Sequence, residues 1–224
     1  MRRGRATGAR RPALGHGPHL AGRRMSAGTR GPVAGHGRRE GLLGALRRVA
    51  DPGLLVHLAK VARFYSYAHV QPRRRITAGP GLRMSPVASL RNGERIVLGR
   101  DVHVGERCYL WAGDSTGRIV LGDKVLLAPE VFITASNYGL AHGTPVMDQP
   151  KREADVVIGS DVWLGARVVV LPGVTIGDGA VVGAASVVSR SLPAHCIAVG
   201  SPARVVGWRD GYVPADDSAS AVAP

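Results

Sequence analysis

The sequence predicts a mainly β fold over its carboxy-terminal half, in which short strands alternate with regular turns. The first observation is a spacing of six between apolar residues, which neither an α-helix, with a period near 3.6, nor a single strand, with a period of 2, explains. The second is that a small or turn-permissive residue follows all but one of them. The unbroken series consists of Ile158, Leu164, Val170, Ile176, Val182 and Val188.

A third observation is that the same spacing recurs earlier and has a companion set four residues further on. The earlier series comprises Leu98 and Val104, then Leu121, Leu127 and Ile133. The companion positions hold Val102, Cys108, Val125, Val131, Asn137, Val162, Val168, Val174, Ala180, Ser186 and Leu192.

The amino-terminal segment, residues 1–39, has almost no large apolar side chains, so we predict a disordered basic tail. Residues 1–50 carry 12 arginines against the single acid Glu40, which is +11 of the net charge of +14. The basic character therefore belongs to the tail, and we expect no nucleic-acid partner. Two alternatives stay open: Met25 is the true start, or the tail is a functional basic arm.

Residues 40–94 are predicted to form a helical lead-in and a connection to the repeats. Helical patterning covers residues 40–50 and 54–67, and Asp51-Pro52 is a helix-start signal. Lys60 and Arg63 favour either membrane-surface docking or a solvated face. No apolar run reaches the length of a signal peptide or of a membrane span. With only two cysteines, neither a disulfide framework nor a zinc site is expected, and a cytoplasmic location fits best.

The hexads Leu-Gly-Asp-Lys-Val-Leu, Ile-Gly-Ser-Asp-Val-Trp and Ile-Gly-Asp-Gly-Ala-Val resemble the hexapeptide repeats of bacterial acyltransferases. The resemblance implies a left-handed parallel β-helix over residues 95–206, followed by a tail at 207–224. It also implies three hexads per triangular coil, with the first and fifth residues inside, and a homotrimer with active sites between neighbouring prisms.

The phase breaks between Ile133 and Ile158, a gap of 25, so residues 137–151 are expected to protrude as a loop. This segment is similar to the loop of sugar and polysaccharide O-acetyltransferases, which closes over the neighbouring subunit's site. The resemblance implies transfer of an acyl group from acetyl-CoA to a hydroxyl of a sugar or polysaccharide precursor.

The carboxy-terminal repeats are similar to the coenzyme A wall of galactoside and maltose acetyltransferases, and no metal is expected. Small residues let a pantetheine arm approach backbone amides, and Arg forms bidentate bonds with phosphate. The alternative is that these are repeat residues and solvated charges. The cofactor candidates by resemblance are Trp163, Ala166, Ala184, Ser189, Arg190 and Arg204.

Transfer to an alcohol needs a base, a task suited to an imidazole. At the two positions where the family resemblance places this histidine, the chain has Ser136 and Tyr138. His142, on the predicted loop, is therefore the candidate base, and Asn137 is a second catalytic candidate that orients the acceptor or the imidazole. Asp114, Ser136 and Tyr138 are the acceptor-binding candidates, although Asp114 also fits a plain turn.

Two other functions stay open. A chain that kept the prism and lost the base is a non-catalytic trimeric binding or scaffold protein. The γ-type carbonic anhydrases share the fold but need three histidines converging on zinc. The repeat region and its exit offer only His103, His142 and His195, at spacings that do not suggest such a cluster.

Overall fold

The computed structural model describes residues 51–214, and the predicted tail and the helical stretch at 40–50 lie outside them. Helix α1 (Pro52–Tyr65) begins at Asp51, whose side chain accepts a hydrogen bond from Gly53 N at 2.7 Å. A π-helical turn (Ser66–Val70) and a 3₁₀ turn (Pro72–Arg74) carry the chain to the first strand. No helix in this described part is long and apolar enough to cross a bilayer.

Nineteen short strands follow the helix in the described residues. They are β1 (Thr77–Ala78), β2 (Arg83–Met84), β3 (Ser89–Arg91), β4 (Ile96–Leu98), β5 (His103–Val104), β6 (Tyr109–Trp111), β7 (Ile119–Leu121), β8 (Leu126–Leu127), β9 (Phe132–Thr134), β10 (Ser136–Asn137), β11 (Arg152–Glu153), β12 (Val156–Ile158), β13 (Trp163–Leu164), β14 (Val169–Val170), β15 (Thr175–Ile176), β16 (Val181–Val182), β17 (Val187–Val188), β18 (Cys196–Val199) and β19 (Arg204–Trp208).

Seventeen of these strands stack into three sheets, one for each face of a triangular prism, and β10 and β11 form a separate two-stranded sheet. The orders are β1-β4-β7-β12-β15 on the first face, β2-β5-β8-β13-β16-β18-β19 on the second and β3-β6-β9-β14-β17 on the third. Neighbours are parallel and in register, except that β19 runs antiparallel to β18 and closes the carboxyl end. The β-helix of about five coils confirms the predicted fold class.

The interior consists of the two predicted sets of positions. Every first-position residue from Leu98 to Val188 is buried, and so are the fifth-position residues, including the polar Ser186. Asn137 is the exception and is exposed. A period of six therefore reports burial faithfully wherever the coil is uninterrupted.

The prism begins earlier than residue 95, where the sequence analysis placed its start. Strands β1, β2 and β3 pair in register with the strands of the next coil. The sequence contains a signal of this earlier start, because Ala78, Met84 and Leu90 are also six residues apart. It is weak because this terminal coil has a neighbour on one side only, so Ala78 is exposed and Met84 is half-buried.

Glycine in the second position of a hexad lets adjacent coils stack at the corner after the first face. A Cβ at Gly122 would lie 2.7 Å from the backbone nitrogen of Ser160 in the next coil, closer than side chains tolerate. The residue two further on, such as Lys124 or Asp161, has a positive φ. The close approach of adjacent coils therefore explains the glycines at the second position of the repeat.

Candidate active site

A cleft of about 210 Å³ opens where the loop leaves the third face of the prism, and we call it the acceptor cleft. It brings together all three predicted acceptor residues with Asn137 and several residues that the sequence analysis did not identify. Its lining consists of Arg91, Trp111, Ala112, Asp114, Phe132, Thr134, Ser136, Asn137, Tyr138 and Lys151.

Asp114 and Lys151 form an ion pair at the edge of the cleft, with Lys151 Nζ 2.5 Å from Asp114 Oδ2. Asn92 Nδ2 donates to the other carboxylate oxygen at 3.0 Å. The hydrogen bond from Lys151 lowers the pKa of Asp114, and the same bond raises the pKa of Lys151. The cleft therefore offers a cation and an anion side by side, a pair suited to polar hydroxyl groups.

Glu153 fixes the segment that carries Asp114. Its carboxylate accepts hydrogen bonds from the backbone nitrogens of Asp114, Ser115, Thr116 and Gly117 at distances of 2.6–3.2 Å, and from the two hydroxyls in between. Burial alone would raise the pKa of Glu153, but these hydrogen bonds outweigh it and hold the pKa well below its ordinary value. The ionised carboxylate ties residues 113–117 to β11.

Ser136 and Tyr138 occupy the rim of the cleft, where the family resemblance places the histidine. The backbone at Ser136 forms a tight turn with Thr134, whose Oγ1 donates to Ser136 O at 3.0 Å. Ser136 Oγ is buried, and within residues 51–214 it has no hydrogen-bond partner. The Tyr138 ring is half exposed, with Lys151 Nζ 5.9 Å from its centre. Ser136 thus lines the cleft with its hydroxyl oxygen held beneath the surface.

The prediction that Asn137 takes an inward repeat position is wrong. The coil ends at Ala135, the last buried residue before β10, and Asn137 then pairs antiparallel with Arg152 in the hairpin β10–β11. The phase of six stops where the hairpin begins, so the side chain is exposed and lines the cleft instead of the core.

His142 lies on the loop as predicted but does not line the acceptor cleft. It is exposed, and the buried side chain of Gln149 braces the loop around it. Gln149 Oε1 accepts from Ala141 N at 2.7 Å, and its Nε2 donates to Ala141 O and Thr144 O at 2.9 and 2.8 Å. The loop backbone on both sides of His142 is thus held in place.

Arg91 and an aromatic cluster form the wall of the cleft opposite the loop, and the sequence analysis did not single them out. The guanidinium carbon of Arg91 lies 3.7 Å from the centre of the Trp111 ring. Trp111 packs edge-on against Phe132 at 5.2 Å and Tyr109 at 5.7 Å. A tryptophan in an outward strand position was the available signal, since such rings are common in binding surfaces.

Three of the cofactor candidates share one side of the prism. Trp163 projects from β13 on the second face and is 50% exposed. Ala166 and Ala184 follow in the corner of successive coils, where Ala185 N donates to Ala166 O at 2.8 Å. A Cβ at Gly165 would lie 2.7 Å from Ala184 N, so the corner stays narrow. This leaves a smooth backbone surface beside an exposed indole.

The remaining candidates lie towards the carboxyl end. Arg190 and Arg204 line one hollow of about 260 Å³, and Ser189 is exposed just before it. Arg204 is the first residue of β19, opposite Val199 of β18. The two arginines come together as two positive charges suited to phosphate, separately from the group around Trp163.

The described residues contain no group of three His, Cys, Asp or Glu side chains that could hold a metal ion.

The fold and the repeats define a hexapeptide-repeat acyltransferase, and the chain belongs to that family. The family model "Bacterial transferase hexapeptide (six repeats)" matches residues 155–190. The chain is 33% identical to WbbJ of Escherichia coli, named as an O-acetyl transferase assigned to lipopolysaccharide biosynthesis, over 75% of this chain and 90% of that protein.

Two further similarities involve galactoside acetyltransferases. The Escherichia coli galactoside O-acetyltransferase is 33% identical over 58% of this chain and 62% of its own length. A solved structure of galactoside acetyltransferase in complex with coenzyme A superposes with a TM-score of 0.55 at 24% identity, covering 72% of this chain and 85% of that one. The latter likeness confirms the fold.

Proposed function

We propose that the chain transfers an acetyl group from acetyl-CoA to a hydroxyl of a sugar or polysaccharide precursor. The observation that carries the proposal is the acceptor cleft, in which an ion pair, the Ser136 side chain and aromatic rings meet at the base of the loop. The names of the relatives support it, since one is assigned to lipopolysaccharide biosynthesis and the other acts on galactosides.

In the proposed reaction the acceptor oxygen attacks the thioester carbonyl as a base removes the hydroxyl proton. The carbon–sulfur bond breaks, and the thiolate of coenzyme A leaves and takes up a proton. The products are the acetyl ester and free coenzyme A. Removing the proton during attack avoids a positively charged oxygen and accelerates the step.

For the base we propose His142, on the braced loop outside its own subunit's cleft. In a homotrimer with sites between prisms, a loop of this kind reaches the site of a neighbour, which fits an exposed imidazole on a fixed backbone. Asn137, on the rim, would orient the acceptor or the imidazole by hydrogen bonds from its amide. Asp114, Ser136 and Tyr138 would bind the acceptor.

For acetyl-CoA we propose that the pantetheine arm lies along the corner formed by Ala166 and Ala184, beside Trp163. Arg190, Arg204 and Ser189 would bind phosphate groups at the carboxyl end. The thioester, at the far end of the arm, would then point towards the coils that carry the loop.

We further propose a homotrimer that works in the cytoplasm in polysaccharide biosynthesis. Light scattering coupled to size-exclusion chromatography measures the subunit number directly. A monomer that is fully active would overturn the assignment of the site to the space between prisms.

The test of the function is release of free thiol from acetyl-CoA in the presence of a panel of sugars, with the acetyl ester identified by mass spectrometry. Thiol release that depends on a sugar, with one acetyl group gained per thiol, supports the proposal. Binding of acetyl-CoA and sugars without turnover would instead favour the scaffold protein.

A further inference from the structure

A second hollow lies next to the acceptor cleft and shares a wall with it. Its volume is about 330 Å³, against about 210 Å³ for the cleft, and Arg91 and Trp111 line both. We call it the outer hollow and define it by Phe64, Tyr67, His69, Tyr109 and the shared pair Arg91 and Trp111. A ligand in the cleft can therefore extend across the stacked Arg91 and Trp111 side chains into the outer hollow and stay in contact with the protein.

Aromatic rings surround this outer hollow. Tyr109 is 36% exposed and packs edge-on against Trp111, while Phe64 and Tyr67 come from the end of α1 and the π-helical turn and are 59% and 60% exposed. Exposed rings of this size that converge on one hollow are binding features, because their faces attract the C–H groups of a ligand.

Polar atoms with fixed orientation lie among these rings. His69 Nδ1 is 2.8 Å from the carbonyl oxygen of Ala88, which can only accept, so Nδ1 carries the proton. In the neutral ring Nε2 is then a hydrogen-bond acceptor. Trp111 Nε1 donates to Ser89 Oγ at 3.3 Å, which fixes the indole plane under Arg91.

We propose that the outer hollow is a second acceptor subsite that binds a further sugar ring, so that the preferred acceptor contains at least two linked sugars. This inference rests on the proposed function of the acceptor cleft. A pyranose has a C–H face and a rim of hydroxyls, and the hollow presents aromatic faces next to an imidazole acceptor and guanidinium donors. An alkyl chain would use the rings but leave the polar groups without partners.

The experiment compares acceptors in pairs: methyl glycosides of common hexoses, and the methyl disaccharides in which a second sugar is linked to the same hexose. An octyl glycoside of each hexose represents an apolar extension. We expect kcat/KM for the disaccharide to exceed that for its monosaccharide by about tenfold, the gain of one stacked ring and one or two hydrogen bonds.

Two variants place the effect in the outer hollow. Phe64→Ala should lower kcat/KM for the disaccharide by about fivefold and leave the monosaccharide unchanged, because the ring contributes to the second sugar only. The matched control is Leu55→Ala on the same helix, where Leu55 is 54% exposed and lines no part of the hollow. His69→Asn, whose amide nitrogen can take the place of Nδ1 and keep the bond to Ala88 while the Nε2 acceptor is lost, should have the same selective effect as Phe64→Ala.

Calorimetric titration of the same sugars separates the two proposals. Equal kcat/KM for both members of every pair, with Phe64→Ala silent, would overturn the second subsite and leave the transferase function intact. Preferential binding of disaccharides without any acetyl transfer would support the subsite and overturn the function. An octyl glycoside that matches the disaccharide would show an apolar site and contradict the assignment to sugar.

Discussion

The Glu153 carboxylate accepts a hydrogen bond from the backbone nitrogen of Thr116 at 2.6 Å, within a row of four consecutive N–H donors. Gly113 leaves room beside it, because a Cβ there would lie 2.8 Å from the backbone nitrogen of Gly117 and would also press on Glu153 Oε2. These hydrogen bonds, which we call the Glu153 latch, link the turn between the second and third coils to β11, where the loop returns. They therefore determine where Asp114 stands at the rim of the acceptor cleft.

Replacing Glu153 with Gln should destabilise the protein, and the loss of stability should become smaller at acidic pH. A Gln amide cannot accept from all of these donors, so we expect the Tm at pH 7 to fall by about 5 °C. The pKa of Glu153 is held below its ordinary value of 4.5, so the difference in Tm between the variant and the parent has its full size above pH 4.5. It should shrink as the pH falls through the lowered pKa.

Thermal melts of both proteins in buffers from neutral to acidic pH measure this difference. Glu106→Gln is the control, since Glu106 is exposed and lies outside the latch. A Tm difference that grows on acidification would contradict the role of the ionised carboxylate.

Breaking the Asp114–Lys151 pair should weaken acceptor binding selectively. Lys151→Ala removes the cation at the rim, so we expect the KM for the acceptor to rise by about tenfold, the value of a hydrogen bond to a charged group. The KM for acetyl-CoA should not change. Arg100→Ala, which breaks a similar exposed pair with Asp123 away from the cleft, is the control. Steady-state kinetics that show equal rises in both KM values would refute an acceptor-specific role.

The repeat fold could be predicted because burial itself repeats: each coil places the same two hexad positions inside, as at Ile158 and Val162. Asn137 was misplaced because that periodicity was extended past the point where the chain leaves the coil. Lys151 was missed for a different reason, since its contact with Asp114 joins residues 37 apart through the return of the loop. Local patterns carry no information about such contacts.

Some residues of the acceptor cleft could likewise be predicted from the sequence, and others could not. Asp114, Ser136 and Tyr138 could be selected from motif position, and the structure brings them together. Arg91 and Trp111 meet only because β3 and β6 are in register one coil apart. Their stack depends on which residues neighbour each other across coils, and that register becomes visible only when the start of the prism is known.

Removing the positive charges at the carboxyl end should weaken acetyl-CoA binding. Arg204→Ala should raise the KM for acetyl-CoA by about tenfold while changing kcat less, because a phosphate contact lies far from the reacting carbon. Arg190→Ala should act in the same way, since both side chains line one hollow. Arg83→Ala, an exposed arginine of the first coil, is the control. Unchanged KM in both variants would remove the phosphate groups from this hollow.

Deleting residues 1–39 should leave the Tm nearly unchanged, because the segment contains 10 arginines and few apolar residues to bury. The pI should fall sharply at the same time. Differential scanning calorimetry of the full chain and the truncated chain measures the effect. A loss of several degrees would show that the segment packs on the prism.

Replacing His142 tests the proposed base. His142→Ala should lower kcat by about 10²–10⁴-fold, the contribution typical of general base catalysis, and leave the affinity for acetyl-CoA unchanged. Transfer to a hydroxyl needs a base, Ser136 and Tyr138 occupy the positions where the family resemblance places the histidine, and Gln149 holds the loop backbone around His142.

Single-turnover kinetics with acetyl-CoA in excess measure the chemical step of His142→Ala, and His57→Ala, on exposed helix α1, is the matched control.

Mixing the variant with a Lys151→Ala protein that has a weakened acceptor cleft adds a further test. If the loop of one subunit serves the cleft of its neighbour, mixed trimers contain sites with both residues intact, and part of the activity returns. Activity of His142→Ala within about threefold of the parent would exclude it as the base, and catalysis would then depend on another residue or on proximity alone.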